Sequence, residues 1–354
     1  MPWSIDDLDT PCVIVDLDKV EANLCRAQDY ADAHKLPLRP HIKTHKIPEL
    51  AHRQLEMGAI GITCQKLGEV EVMADAGIGD ILLSYGVIGE PKLARLVALA
   101  RRINLRVVAD SDEVARGLSA AADGAGIALE VLVECDTGAQ RCGVQSPEEA
   151  VSLARTIDRL PGLRFAGIMT YPPKHGVERN AAALRDIVAA LATAGLEARI
   201  VSNGGTPDLY RAHEVDAATE HRPGTYIYSD RSIAAAGVGT LDDCALKVLT
   251  TVVSRPTEGR AIFDAGSKTL SSDTLGLDGY GHVEEYPGAV IYAFSEEHAH
   301  VDVSGANARP KVGERVTVIP NHACVVSNLH DHVVAVRGRR VERVLRVAAR
   351  GRVT

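Results

Sequence analysis

No Cys-x-x-Cys pair occurs in this 354-residue chain, and its seven cysteines are scattered and odd in number. That argues against a disulfide framework and leaves mostly buried, free thiols in a reducing cytosol. Positive charge is short as well. The 39 Lys and Arg residues face 47 Asp and Glu, a net charge of −8, which argues against nucleic acid as a partner. No apolar run approaches the about 18–20 residues that span a bilayer, so no membrane partner is expected. The acidic start MPWSIDDLDTP is not a secretory signal, and a cytoplasmic location is expected. No Gly-x-Gly-x-x-Gly follows an early strand, which ranks a doubly wound nucleotide-binding sheet low. Internal repeats and low-complexity linkers are missing too.

What is present is a regular alternation. From about residue 20 to 235, short apolar β-rich runs (LRPHIKTH, AIGITCQK, DILLSYG, LRVVADS, LEVLVECDTG, FAGIMTYPP, ARIVSNGG, TEHRPGTYIYSD) alternate with Ala/Leu-rich amphipathic segments. Eight strands, with a helix before the first and seven between, predict an N-terminal (β/α)8 TIM barrel over residues 18–235. Beyond it the helical period disappears. ALKVLTTVVSRP, RAIFDAG, PGAVIYAFS, AHVDV, RVTVIPN, HVVAVRG and ERVLRVAA read as strands of an all-β domain, residues 236–354. The opening TPCVIVDLD reads as a strand that joins it, so residues 1–17 are assigned there.

Barrel chemistry collects at the C-terminal strand ends, and the polar residues of this chain do so, while the opposite ends look bland. Strand 1 ends in RPHIKTHK, Arg39 to Lys46. On an extended strand His41, Lys43 and His45 share one face, the interior. A lysine is rarely buried without a task, and a buried amine is a nucleophile suited to a Schiff base. The alternative is a solvated rim lysine paired with an acid. SNGGTP, after strand 7, has the character of a phosphate site, with glycine N–H groups and the hydroxyls of Ser202 and Thr206; the alternative is an ordinary Gly-rich turn. In PNHACVVSNLHD, His322 and Cys324 lie two apart at the start of a β run and so face one side. Imidazole and thiolate are zinc ligands, and two of them leave positions open for water or substrate. The alternative is a buried Cys beside a surface His.

Together these stretches resemble the fold-type III pyridoxal phosphate enzymes, in the branch of D-threonine aldolase and D-serine dehydratase, an alanine racemase-like plan. The resemblance spans almost the whole chain: DTPCVIVDLD, RPHIKTHK, GITCQKLGEVE, ECDTGAQRCGV, SNGGTP, RPGTYIYSD, DAGSKTLSSD, SEEHA and PNHAC. It implies pyridoxal 5'-phosphate held by Lys43 as an internal aldimine. It implies a phosphate cradle of Ser202, Gly204, Gly205, Thr206 and the backbone at Gly224, Thr225 and Tyr226. Arg141 by the same resemblance faces the cofactor's phenolic oxygen, Tyr171 and Gln65 line the pocket, and Arg222 meets the pyridine nitrogen. The aldolases resemble a His-x-Asp metal pair and the dehydratases a His-x-Cys pair. With Cys324 present, the divalent metal is expected to be zinc, with manganese or magnesium as alternatives.

The implied reaction is that of a lyase on β-hydroxy D-amino acids, of D-serine dehydratase type, giving pyruvate and ammonia from D-serine. Retro-aldol cleavage to glycine and an aldehyde is the alternative. Further alternatives are an amino-acid racemase, with Tyr280 as a weak second base, and a non-catalytic cofactor carrier. By resemblance the chain is expected to be a head-to-tail homodimer. Lys268, Glu297 and His298 are either contributors to a site or surface polar residues of β loops.

Overall fold

The computed structural model describes residues 3–354, which form two compact units. The first comprises residues 26–43, 48–224 and 352–354; the second comprises the described residues up to 25, together with 44–47 and 225–351. The expected boundaries stand at 17/18 and 235/236, whereas the units part at 25/26 and 224/225.

Strand β1 (Cys12–Asp16) and helix α1 (Leu17–His34) open the chain. There follow α2 (Pro48–Glu56), β2 (Ile62–Cys64), α3 (Leu67–Asp75), β3 (Asp80–Leu83), α4 (Glu90–Ala100), β4 (Asn104–Ala109) and α5 (Asp112–Gly124). Next come β5 (Leu129–Glu134), α6 (Pro147–Arg159), β6 (Leu163–Met169), α7 (Val177–Thr193), β7 (Ile200–Asn203) and β8 (Glu220–His221). Local signals set the helix starts: Ser111 and Ser146 each accept an N–H from the first turn of α5 and α6, and Pro147 follows its cap. Strands β2 to β8 form a parallel sheet in sequential order. Their runs are apolar without strict alternation, as strands covered on both faces are.

The expected first strand is not a regular one. Residues 37–41 nevertheless bond to both edges of the sheet. Thr63 N–H donates to Pro40 O (2.7 Å) on the β2 side, and Arg39 and His41 N–H donate to His221 O and Pro223 O (2.8 and 2.9 Å) on the β8 side. This segment is the eighth member that closes the ring. The two-residue strand period stacks the interior in layers. Lowest lies an ion-pair ring in which Arg39 bonds Glu220 and Asp80, Arg106 bonds Asp80 and Glu130, and Arg199 bonds Glu130. Gly61 makes room for it, since a Cβ there would fall 2.3 Å from Arg39 Nη1. The N-terminal strand ends are therefore not bland; a desolvated guanidinium needs carboxylates around it. Above the ring Leu82, Val108, Leu132, Ala166 and Met169 form an apolar layer.

The second unit adds α8 (Arg231–Ala235), β9 (Leu246–Thr257), β10 (Arg260–Phe263), α9 (Ser267–Leu270), β11 (His282–Val283), β12 (Val290–Phe294) and β13 (Ala299–Asp302). Last come β14 (Arg315–Ile319), α10 (Ala323–Leu329), β15 (His332–Arg337) and β16 (Arg340–Arg346). The main path of its mixed nine-stranded sheet runs β12-β13-β10-β9-β1-β15-β16. As the sequence suggests, β1 joins it, antiparallel to β9 and parallel to β15. Where PNHACVVSNLHD predicts a β run, the chain forms α10. A short apolar run carries no decisive period, and here Asp230 Oδ2 accepts the Ala323 N–H (2.9 Å) at the helix start.

Candidate active site

Lys43 sits in a single 3-10 turn, Ile42–Thr44. The chain leaves the barrel wall immediately after His41, so the alternation that would place His41, Lys43 and His45 on one face does not apply. Lys43 is half-buried. Its Nζ lies 5.8 Å from the centroid of the Tyr171 ring, and Arg141 Cζ lies 4.9 Å from the same centroid. A negative ring face attracts both cations, so Tyr171 gathers them at the C-terminal end of the barrel. His41 is buried, and burial followed by the Lys43 charge holds its imidazole well below the ordinary value. His45 is a packed residue: its Nδ1 accepts the Ile47 N–H (3.0 Å) and its ring meets Tyr228 edge-on at 6.4 Å.

The SNGGTP turn lies against two rings. Gly204 has φ +91°, and a Cβ there would fall 1.9 Å from His221 Cε1; a Cβ on Gly205 would fall 2.9 Å from Tyr171 Cε2. Only glycine permits that approach. The N–H groups of Gly204 and Gly205 donate to no acceptor among the described residues. Adjacent uncommitted N–H groups make a nest for an anion. Thr206 Oγ1 accepts the Gly224 N–H (3.1 Å), which ties this turn to the one after β8. Together with the Lys43 amine, this arrangement fits a phosphorylated aldehyde cofactor.

Two expectations, for Ser202 and for strand 8, need correction, and Gln65 has fixed partners. The Ser202 hydroxyl is committed: it donates to Glu220 and accepts from Arg222 Nη1 (2.7 Å), so it braces the arginine and is not a free phosphate donor. Gln65 is committed too, between His41 Nε2 (3.1 Å) and Ser84 O (3.1 Å), so its amide orders the wall beneath Lys43. The expected eighth strand stops at His221, and Thr225 and Tyr226 belong to a 3-10 turn of the second unit. There Thr225 Oγ1 lies 3.5 Å from Cys324 Sγ. Arg222 itself is buried, and its Nη2 donates to Thr170 O (2.7 Å). Burial pulls it down to about 10, which leaves it charged at neutral pH.

In the second unit His322 immediately precedes α10 and Cys324 lies in its first turn. The two side chains are within hydrogen-bonding reach. Thr44 Oγ1 lies 3.2 Å from Cys324 Sγ, and Asp273 Oδ2 lies 2.6 Å from His322 Nδ1. Burial lowers the His322 value, but the Cys324 sulfur, Asp273 and Asp230 outweigh it and raise the ring to about 9. With Nδ1 given to Asp273, Nε2 is the nitrogen left for an ion. No group of three or more His, Cys, Asp or Glu residues among the described ones is arranged to hold a metal. A nitrogen and a sulfur donor fit zinc with its remaining positions open.

The profile described as "Alanine racemase, N-terminal domain" matches residues 15–232, and a serine dehydratase domain matches residues 245–336. D-threonine aldolase of an Arthrobacter species is 37% identical, over 97% of this chain and 93% of that protein. The crystal structure of D-threonine aldolase from Filomicrobium marinum superposes with a TM-score of 0.93 at 35% identity, covering 100% of this chain and 99% of that one. The chain belongs to the fold-type III pyridoxal phosphate enzymes of the D-threonine aldolase and D-serine dehydratase family. Within that family, a cysteine-to-alanine mutant of D-threo-3-hydroxyaspartate dehydratase from Delftia sp. HT23, in the metal-free form, has a TM-score of 0.89 at 32% identity, covering 97% and 98%. D-serine dehydratase of Dictyostelium discoideum is 26% identical over 93% of this chain and 94% of its own length.

As a member of this family of lyases, the chain brings together Lys43, Arg141, Tyr171, Gly204, Gly205, Thr206, Arg222 and Gly224 in one unit, and His322, Cys324 and Thr225 in the other. Lys268 instead pairs with Glu296 and Glu297 at the exposed surface (2.7 and 2.9 Å), which is the surface alternative. His298 O accepts the Ser295 N–H in the same loop. Sequence reasoning missed Glu134, at the end of β5. It is buried, its carboxyl is raised by burial against the pull of Arg141, and Arg141 Nη2 stands 3.8 Å away. The two-residue inward period of β5 could have found it. Asp273 and Asp230 carried no such signal.

Proposed function

We propose that the chain is a pyridoxal phosphate- and zinc-dependent dehydratase of β-hydroxy D-amino acids, with D-serine as the simplest substrate. The observation that carries the reading is the pairing of His322 with Cys324. The relative from Delftia is a dehydratase; the histidine and cysteine replaced in its solved variants lie two residues apart, as these do, and the cysteine variant is metal-free. Lys43 would carry the cofactor, the N–H groups of Gly204 and Gly205 would bind its phosphate, and His322 Nε2 with Cys324 Sγ would hold the metal. When bound, the cofactor draws electron density from the substrate's Cα and the metal acts as a Lewis acid on the β-oxygen. Lys43 Nζ would be the base that accepts the Cα proton. Arg222 stays cationic and buried, held by Ser202 Oγ and Thr170 O. The overall conversion of D-serine is to pyruvate and ammonia.

Retro-aldol cleavage is the second reading. It is favoured by the 37% identity to a D-threonine aldolase over nearly the full chain. Products decide between them. The dehydratase reading expects pyruvate from D-serine with zinc supplied; glycine and acetaldehyde from D-threonine, with no keto acid from either substrate, would establish the aldolase. Lys43→Ala should abolish either activity together with the yellow absorption of the protein. For a racemase, Tyr280 offers little, since its ring packs on Phe294 at 4.7 Å. A homodimer belongs to the same reading, and light scattering of the purified protein tests it.

A further inference from the structure

Hydrogen-bond roles around Lys43 can be assigned from one fixed point. The carbonyl oxygen of Ser84 can only accept. Gln65 therefore turns its NH₂ toward it (3.1 Å), which directs Oε1 at His41 Nε2 (3.1 Å). An amide oxygen accepts, so His41 carries its proton on Nε2. Its Nδ1 is then a bare acceptor, and the group facing it is the main-chain N–H of Lys43, at 3.3 Å. Gln65 is itself held at its backbone, where its N–H donates to Glu69 Oε2 (2.6 Å). Glu69 and His41 are both buried. The Ser84 hydroxyl, 3.4 Å from Nε2, donates to Cys64 O (3.3 Å).

We propose that His41, locked in its Nε2–H form by Gln65, is a positioning residue that fixes the turn carrying Lys43 and so sets the approach of its amine to the cofactor. A doubly protonated ring would point a donor at the Lys43 N–H and break the arrangement. The charged groups facing the ring are Lys43, Arg222 and Arg141, all cations, and each opposes that protonation. The inference rests on the reading of Lys43 as the cofactor lysine. That reading is tested separately by borohydride reduction of the holoenzyme and mass mapping of the modified peptide.

Two measurements address the positioning role. Imidazole nitrogen NMR of the ¹⁵N-histidine-labelled holoenzyme should show His41 protonated at Nε2 only, and Gln65→Met should yield a tautomer mixture. Cofactor titration of the apo-protein should show His41→Leu weakened about tenfold, the loss of one backbone hydrogen bond. His41→Asn, whose Oδ1 can take the Lys43 N–H, should recover most of that loss. If His41→Leu fails to fold, the Gln65→Met spectrum and the Asn variant carry the test. A proton on Nδ1 in the wild type, an unaltered tautomer in Gln65→Met, or cofactor affinity in His41→Leu equal to wild type would each overturn the proposal.

Discussion

His322 Nδ1 lies 2.6 Å from Asp273 Oδ2, which orients the imidazole and leaves Nε2 as its outward donor. Asp273 is itself tethered, with its N–H donating to Ser271 Oγ (3.0 Å) and its Oδ1 accepting the Leu275 N–H (3.2 Å). A carboxylate behind a metal-binding histidine raises its basicity and fixes its tautomer, and its removal typically costs about 10–100-fold in metal affinity. Asp273→Ala should lower zinc affinity by that factor in competition with a chelator. Asp273→Asn, which keeps an acceptor, should lose less. Equal zinc retention in the alanine variant and the wild type would mean that Asp273 does not support the ligand.

At the other end of the chemistry, Gly204 combines φ +91° with a clash against His221 Cε1 at 1.9 Å. Gly204→Ala should therefore cost far more than the strain of a positive φ, about 1 kcal/mol. Gly77 provides the comparison: it has φ +89° with nothing within 4 Å of an added Cβ. Gly77→Ala should melt slightly earlier and keep its cofactor. Gly204→Ala should displace the His221 ring and retain cofactor more than about tenfold less well. Similar behaviour of the two variants in cofactor titration would show that the close approach at Gly204 is unimportant.

Much of this arrangement was legible in the sequence, for identifiable reasons. The parallel strands were readable because βα alternation changes hydrophobic period twice per repeat, and the cap residues Ser111 and Ser146 sit where the helices begin. Lys43, Gly204 and the His322–Cys324 pair were singled out because their chemistry is rare in such positions. The turn at Ile42–Thr44 was not legible. Its shape depends on bonds from residues 39–41 to His221 and Pro223, which lie some 180 positions away. The same holds for Gln65 and Ser202. A sequence shows that an amide or hydroxyl lies near a strand end, but not that Ser84 O or Arg222 has already claimed it. Helix α10 was misread as a strand because its cap, Asp230, comes from another part of the chain.

His221 gives the stability of the protein a defined pH slope. Its Nε2 faces Gly205 O at 3.2 Å and so carries the proton, while Nδ1 is buried without a partner among the described residues. Burial, then the Arg222 charge, hold the ring at about 3, well below the ordinary histidine value of about 6.5. Above about pH 6.5 the ring is neutral folded or unfolded, and the histidine contributes no slope. Between about 6.5 and 3 the unfolded chain binds a proton that the folded chain refuses, so stability is lost steadily as pH falls. His41, lowered by burial and Lys43, acts in the same direction. The urea midpoint should therefore drop between pH 7.5 and 5. His221→Gln, whose amide can still donate to Gly205 O but takes no proton, should show a shallower drop. An identical slope in that variant would mean that His221 is protonated within the fold and that acid loss arises elsewhere.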